Sequence, residues 1–358
     1  MKFKILILSL LVAFTIPVFG QDADMSLIPY RQGDKWGFAG TDRVIVIKPE
    51  YEEVGFFYAG YAVAKKGGKY GYINKKGKVV IPFKFFNAKQ FRYGYFPKGK
   101  DDKIETADDL ETNERVVLFA GASLRADGYE ICINEKGATM PKCPAIPENS
   151  APDVNKKTTV TVVSNYSTIQ KSDLFDKIIS DYKMPGAEDS YYIATRGDKY
   201  GVFNKTFEVI VPFEYSKIEK IDLGVMPYIM VEKDGLKGIM FGNGSLYMAI
   251  ENTRLDNVKA TDGNNYLIFT KDGKTGIKNT RYQVVVEPLY SDIVYDANGG
   301  FVLTMNSNFK GFYFLNGNIV EAKYADVNAV KGGEYVMIET QTGKKGYLNN
   351  NMVEFFEE

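Results

Sequence analysis

The sequence predicts an all-β protein built from tandem β-meander repeats of about 35 residues, with an irregular insertion near its middle. Two observations lead to this fold class: a glycine that recurs at a nearly constant spacing, and β-branched runs that end in proline. Residues 68–82 show both features in one short stretch. They are typical of a strand, a glycine-containing turn and a second strand that stops at a proline. The spacing that amphipathic helices require is absent from the repeats.

The recurring glycines set the period of the repeat. Their separations are 34 residues in the first block and 37, 38, 35 and 35 residues in the second. An aromatic residue precedes the glycine in the first three copies, at Trp36, Tyr70 and Tyr200. Glycine weakens a strand unless another group comes close, so we expect a close approach between neighbouring copies at each one. We call these residues the marker glycines: Gly37, Gly71, Gly201, Gly238, Gly276, Gly311 and Gly346.

Prolines and hairpin turns define the other strands of each repeat. The β-branched runs end at Pro49, Pro82, Pro212 and Pro288, and proline marks a strand end or a sheet edge because it lacks a backbone donor. A further strand begins about ten residues before most marker glycines. It is followed by turn residues such as Asp272-Gly273, which predict a tight hairpin.

Two arrangements of the repeats remain open at this point. The chain begins with a segment of one strand type, near residues 26–30, and ends after another, near residues 352–356. The two ends are therefore able to complete one shared unit, as a closed β-propeller requires. The interrupted middle would strain a regular ring, so we predict an open curved array and keep the closed β-propeller as the alternative.

The middle of the chain, residues 99–188, departs from the pattern. A charged segment up to Glu114 is expected to be a solvated loop, and residues 144–158 are expected to be a linker. Between them lies a degenerate repeat in which Ile131 takes the glycine position, two periods before Gly201. Ser172 is predicted to cap one short helix over residues 173–183, because the apolar residues of that stretch fall on one helical face.

The predicted organisation has four parts. Residues 1–20 have the basic start, apolar run and small terminal residues of a cleaved signal peptide. Repeats follow over residues 21–98, then the insertion over 99–188, and further repeats over 189–358. We therefore expect an exported protein that is periplasmic, outer-membrane-associated or secreted, with no transmembrane segment after cleavage of the signal.

Composition excludes several classes of function. The 45 basic residues balance the 45 acidic residues, which gives no reason to expect nucleic acid as a partner. The chain has no histidine, so the commonest general base and zinc ligand are missing. The two cysteines, Cys132 and Cys143, are predicted to form a disulfide in an oxidising compartment.

No residue pattern identifies a catalytic, cofactor or metal site, and we assign none. Lys274-Thr275-Gly276 and the Ser307 to Lys310 string match two motifs of serine β-lactamases. They occur in the reverse order and occupy the same slot of neighbouring repeats, so they are explained as repeat turns.

The first copies resemble a known family. Lys35-Trp36-Gly37-Phe38 and residues 69–82 are similar to the WG-repeat, also called the KWG-repeat, of exported bacterial proteins. The resemblance implies tandem β units, an envelope or extracellular setting, and a role in binding or assembly, without a catalytic residue to carry over. This chain departs from the family pattern in its interrupted middle and in keeping the tryptophan in one copy only.

We therefore expect a non-enzymatic binding or assembly module of the bacterial cell envelope or extracellular space, with a protein or an envelope glycan as its partner. The alternative is a glycan-acting hydrolase or lyase that uses carboxylates in a groove. A cleft with paired carboxylates would favour the enzyme, and a shallow surface of tyrosines and lysines would favour the binding module.

Overall fold

The computed structural model describes residues 24–96, 115–126, 128, 130–145, 174–186, 188, 190–224, 226–330 and 332–357. The predicted signal peptide, the charged segment from 98 to 114 and most of the predicted linker lie outside these residues. The chain divides into two compact units. The first comprises residues 1–26 and 54–147, and the second comprises residues 27–53 and 148–358.

All regular secondary structure in the described residues is β. The strands are β1 (Ile28–Gln32), β2 (Lys35–Ala39), β3 (Ile45–Tyr51), β4 (Glu53–Val54), β5 (Tyr61–Lys66), β6 (Lys69–Asn74), β7 (Val79–Phe85), β8 (Asn87–Ala88), β9 (Arg92–Phe96), β10 (Arg115–Ser123), β11 (Ile131–Asn134), β12 (Lys177–Lys183), β13 (Ser190–Arg196), β14 (Lys199–Asn204), β15 (Val209–Tyr215), β16 (Lys217–Asp222), β17 (Pro227–Lys233), β18 (Leu236–Phe241), β19 (Leu246–Asn252), β20 (Arg254–Lys259), β21 (Asn265–Lys271), β22 (Lys274–Asn279), β23 (Val284–Tyr290), β24 (Asp292–Asp296), β25 (Gly300–Thr304), β26 (Lys310–Tyr313), β27 (Ile319–Tyr324), β28 (Asp326–Ala329), β29 (Tyr335–Glu339), β30 (Lys345–Asn349) and β31 (Phe356–Glu357).

The repeats form separate sheets whose strands pair in chain order. Complete sheets are β4 to β7, β12 to β15, β16 to β19, β20 to β23 and β24 to β27. We call their strands a, b, c and d, and c carries the marker glycine. In the sheets that begin with β4, β16 and β20, the b and c strands are joined by two-residue turns with two positive φ angles, as at Asp272 (53°) and Gly273 (71°). The prediction of tandem all-β meanders is confirmed.

The degenerate repeat also forms a sheet, with the order β11, β10, β8, and β9 pairs with β10. Ile131 pairs with Ala122 in this sheet, as the marker glycine Gly71 pairs with Ala64 in the sheet before it. Ile131 therefore occupies the glycine position, as the sequence period indicated.

The predicted helix over residues 173–183 is wrong. Lys177–Lys183 is the a strand β12, which pairs antiparallel with β13. A β-bulge between Ile178 and Ser180 breaks the alternation of apolar and polar residues, which is why the stretch imitates a helical pattern. The hydrogen-bonding edge of the neighbouring b strand outweighs the weak local preference for a helix.

At six of the seven marker glycines the close group belongs to the same sheet, mainly to its d strand, and not to a neighbouring copy. Gly346 is the exception, because it lies against the Phe356 ring of β31, a strand of a different sheet, as the expected approach between copies requires. Tyr70 pairs with Phe85 and Tyr72 pairs with Ile81, so three residues of β7, numbers 82–84, lie opposite Gly71. This bulge brings the backbone oxygen of Ile81 to 2.7 Å from where a Cβ atom of Gly71 would lie. Only glycine leaves enough space for the d strand at this point.

The prolines lie in d strands, which are sheet edges. Pro82 and Pro212 occupy β7 and β15, the last strands of their sheets. An edge position needs no backbone donor on its outer side, so proline is tolerated there and discourages pairing with another strand.

The two ends of the described chain share one sheet of the second unit. β31 pairs with β1 in parallel and takes the position of an a strand, so the sheet order is β3, β2, β1, β31. The backbone N–H groups of Arg31 and Gly33 donate to the oxygens of Phe355 (3.2 Å) and Glu357 (3.1 Å). The shared unit expected from the chain ends is present, and the choice between an open array and a closed propeller stays a prediction.

The Arg31 side chain connects this sheet to the last repeat. Its side chain is 3% exposed, and its Nε and Nη1 atoms donate to the carbonyl oxygens of Lys345 and Gly33, each at 2.5 Å. Its guanidinium also lies 5.5 Å from the centre of the Phe356 ring. Two of its nitrogen atoms are therefore satisfied by backbone acceptors, which offsets much of the cost of burying the charge, while Nη2 is buried without an acceptor.

Gly71→Ala tests the role of the marker glycines. We expect the free energy of unfolding to fall by about 3 kcal/mol, because the added methyl group overlaps the Ile81 carbonyl in a strand that has no free space. Chemical denaturation gives the value. Lys78→Ala, at an exposed position of the same sheet, is the matched control with little expected effect. Equal stability of Gly71→Ala and the wild type would contradict the role assigned to the bulge.

Arg31→Ala tests the connection between the chain ends. We expect the free energy of unfolding to fall by about 2–3 kcal/mol, since two charge-assisted hydrogen bonds to backbone carbonyl oxygens disappear. Lys35→Ala, at an exposed position of the adjacent β2 strand, is the control. A change below about 0.5 kcal/mol would show that Arg31 is dispensable.

Candidate functional site

The candidate site is an open groove of about 640 Å³ in the second unit. It lies at the end of the sheets where strands a and b connect, between the sheets that begin with β12 and β16. Its described lining is largely apolar and includes two lysines: Lys183, Met184, Pro185, Lys220, Ile221, Asp222, Gly224, Met226, Pro227 and Tyr228.

One wall of the groove is positioned by Tyr182, the buried residue that precedes Lys183. Its hydroxyl donates to the Gly242 carbonyl oxygen at 2.6 Å, and its ring stacks on Tyr191 at 5.5 Å between centroids. A Cβ atom at Gly242 would lie 2.7 Å from both the Met184 sulfur and the Tyr182 ring. The missing side chain of Gly242 therefore lets Tyr182 and Met184 reach the neighbouring sheet.

The polar groups of the other wall are fixed by local hydrogen bonds. Lys220 Nζ donates to the Asp181 carbonyl oxygen at 2.8 Å. One Asp222 carboxylate oxygen accepts from the Gly224 N–H at 3.0 Å, and the Asp222 carbonyl accepts from Asn257 Nδ2 at 2.8 Å. Asp222 thus shapes its own turn and connects it to the next sheet.

The charges in the groove do not match those of a glycosidase. Such an enzyme uses two carboxyl groups about 5 to 9.5 Å apart. Asp222 is the single carboxylate among the described lining residues, whereas Lys183 and Lys220 are both exposed there. Across the described part of the chain, no cluster of three or more potential metal-ligating side chains occurs. The described lining thus combines apolar side chains and two lysines with one carboxylate.

A series of aromatic rings continues from the groove to the next sheet. Tyr228 contacts the Tyr247 ring at 4.9 Å between centroids, and Tyr247 contacts Tyr282 at 5.3 Å. The Tyr247 hydroxyl donates to the Thr280 carbonyl oxygen at 2.9 Å, which holds the two sheets together. Lys278 Nζ lies 3.6 Å from the centre of the Tyr282 ring. Tyrosine combines apolar area with a polar tip, so this surface is suited to contact with a partner.

The sequence-predicted residues lie apart from this groove. The marker glycines are distributed over the sheets, six beside the d strand of their own sheet and Gly346 beside Phe356 of β31. Trp36 packs edge to face on Tyr347, with 5.9 Å between ring centroids. Cys132 and Cys143 form a disulfide in the first unit, with Cα atoms 5.3 Å apart. Thr275 of the β-lactamase-like string is buried and contacts the Thr270 hydroxyl at 2.9 Å, as expected of a repeat strand.

Sequence reasoning missed the groove because its residues come from two repeats. The available signal was a Met-Pro pair in the a–b turn of each, Met184-Pro185 and Met226-Pro227. A second missed feature is an asparagine three residues after the marker glycine. Its side-chain oxygen accepts from two backbone N–H groups of the c–d turn, as Asn74 does from Lys76 and Lys78 at 3.0 Å each.

The comparison with family sequences supports the repeat assignment. The WG containing repeat matches residues 36–70, 70–103 and 200–236. No curated protein sequence matches the chain. Within the described ranges, no helix has the length and hydropathy needed to cross a membrane.

Similar solved structures are distant in sequence. Kluyveromyces lactis Hsv2 shows 14% identity and a TM-score of 0.25, over 50% of this chain and 62% of that one. PorZ, a surface component of the type-IX secretion system of Porphyromonas gingivalis, shows 13% identity and a TM-score of 0.23, over 84% and 37% of the two chains. The extracellular domain of the hybrid two-component system BT3049 from B. thetaiotaomicron shows 9% identity and a TM-score of 0.22, over 92% and 49%.

The chain spans less than two thirds of the length of the Hsv2 structures that it matches. At these identities and TM-scores, the likenesses carry no argument about function.

Because tyrosines are buried beside the groove and elsewhere in the second unit, we expect the protein to lose stability at high pH. Burial, followed by the charge of the neighbouring Tyr191, raises the pKa of Tyr182, and burial raises the pKa of Tyr347 to about 12. Below a pH of about 10 these groups are neutral in both the folded and the unfolded chain. Above it the unfolded chain loses its protons first, so the free energy of unfolding falls as the pH rises towards the folded pKa.

Tyr182→Phe isolates one part of this effect. At neutral pH we expect a loss of about 1 kcal/mol, because the Gly242 carbonyl loses its donor. Between pH 8 and about 11, the urea midpoint of the variant is expected to fall less than that of the wild type. Parallel pH profiles of the two proteins would rule out the assigned role of Tyr182.

Proposed function

We propose that this chain, which the WG containing repeat matches at residues 36–70, 70–103 and 200–236, is a non-enzymatic binding or assembly module of the bacterial cell envelope or extracellular space. The observation that carries this proposal is the chemistry of the groove between the β12 and β16 sheets. Two exposed lysines line the groove together with methionine, proline and tyrosine side chains, and the described lining offers one carboxylate.

The methionines of the groove favour a binding function over a catalytic one. Met184 and Met226 approach the groove from different sheets. Unbranched thioether side chains adapt to irregular partners, and such side chains are common on surfaces that bind other molecules. With Tyr228 and the two lysines, they are suited to an apolar segment that carries negative charge, on a protein or an envelope glycan.

An exported location is part of the proposal. It is supported by the signal-peptide pattern of residues 1–20 and by the Cys132–Cys143 disulfide, since structural disulfides persist in oxidising compartments.

The test uses the chain from residue 21 to 358 as bait for an envelope extract. Met184→Ser combined with Met226→Ser removes apolar area from the groove, and we expect about tenfold weaker capture of whatever the wild type retains. Met305→Ser, in the b–c turn of a different sheet, is the matched control and should capture normally.

Two outcomes would overturn the proposal. If the wild type cleaved members of a polysaccharide panel, as measured by newly formed reducing ends, the protein would be an enzyme. If the double methionine variant and the wild type captured the same partners equally, the groove would not be the binding site.

A further inference from the structure

The c–d turns of the repeats require one residue with a positive φ angle. This residue lies six positions after the marker glycine and closes the turn with a backbone hydrogen bond, as Gly77 does to the Asn74 carbonyl at 2.8 Å. It is a glycine in several copies, including Gly244 (φ 83°) and Gly317 (φ 96°). Glycine is the residue that adopts this conformation without steric strain.

Three copies of the second unit place a large apolar side chain at the same strained position. Phe207 has a φ angle of 63°, Tyr282 of 65° and Met352 of 64°. Their side chains are 42%, 38% and 42% exposed. Bulky residues are rare in this region of backbone space, and persistent strain of this kind is concentrated at functional positions.

Packing accounts for only part of each side chain. One face of Phe207 stacks on Phe203, with 5.8 Å between centroids, and Tyr282 contacts Tyr247 and Lys278. The repeats with Gly244 and Gly317 form the same turn without any such ring. The fold therefore does not need a large residue here, and the exposed part of each side chain is available to a partner.

Further apolar residues surround these positions. The first residue of each d strand is exposed although it is aliphatic, as Leu246 shows at 56%. We define the apolar rim as the exposed apolar residues of the c–d turns and d-strand starts in the second unit: Val44, Ile45, Phe207, Val209, Leu246, Tyr282, Val284, Ile319 and Met352.

The rim differs from a surface that fits one folded partner. Its side chains stand singly on separate turns, one or two per sheet, and polar turn residues such as Asn243 and Asn316 lie between them. A folded partner requires a continuous, complementary patch, whereas a lipid surface accepts separate side chains that each enter its apolar layer. Lys278 and Arg281 lie close to Tyr282 in the sequence. Their positive charges are suited to pairing with the phosphate groups of lipids.

We propose that the apolar rim docks the second unit on a lipid surface, with Phe207, Tyr282 and Met352 entering the interfacial layer and Lys278 and Arg281 facing the phosphates. The rim shares no residue with the methionine groove, although the Tyr247 ring connects Tyr282 of the rim to Tyr228 of the groove. The proposal does not depend on what the groove binds.

Vesicle flotation with the chain from residue 21 to 358 tests the proposal. The vesicles contain phosphatidylethanolamine and phosphatidylglycerol in one series and phosphatidylcholine alone in the other. We expect the wild type to float with both, and more strongly with the anionic vesicles. Phe207→Gly combined with Tyr282→Gly should lower the partition coefficient by about tenfold or more, since two aromatic side chains are lost.

The same double variant provides an internal check on folding. Because glycine relieves the strain at both turns, its melting temperature should equal or approach that of the wild type, so weak flotation is not the result of unfolding. Phe309→Ser is the matched control. This phenylalanine is 39% exposed but lies in a b–c turn, at the other end of its sheet, and its loss should leave flotation unchanged.

Several results would overturn the proposal. They are failure of the wild type to float with either vesicle, equal flotation of the double glycine variant, or an equal loss with Phe309→Ser. If the wild type instead sediments as a dimer that the double glycine variant abolishes, the rim contacts a second copy of the chain and not lipid.

Discussion

The fold depends on one close approach, the bulged d strand that passes directly over a marker glycine. At Gly71 and Gly276 the carbonyl oxygen of the d strand lies 2.7 Å from where a Cβ atom would be, so any other residue would push the last strand of the sheet away. The bulge also holds the proline in β7, which leaves that edge unsuited to further pairing. The glycine thus leaves space for the edge strand, and the proline prevents a further strand from pairing with that edge.

The same local rule explains how much of the fold was predictable. Gly71, Pro82 and Asp272-Gly273 each encode a backbone requirement that is met within one sheet, so the period and the hairpins follow from the residues alone. The stretch from Lys177 to Lys183 shows the limit. Its strand forms because the β13 edge is available in space, and a local pattern disturbed by a bulge gives no sign of that edge.

The candidate site was less predictable for a related reason. Met184 and Met226 are 42 positions apart in the chain, and they become neighbours because two consecutive sheets present equivalent turns. Nothing in the period requires these turns to be apolar, since the equivalent turn of the β24 sheet contains Asp296 and Asn298. The repeat fixes where such turns lie, while their individual residues decide what they can contact.

The position of β31 makes one sheet depend on residues that are far apart in the sequence. The strands β1 to β3 of this sheet are consecutive, yet its fourth member consists of Phe356 and Glu357. The backbone N–H groups of Arg31 and Gly33 find their acceptors in Phe355 and Glu357 only when this long-range pairing forms. Pairing across such a long stretch of chain has a high loop-closure cost, so this sheet is expected to be completed after the sheets whose strands are all neighbours in sequence.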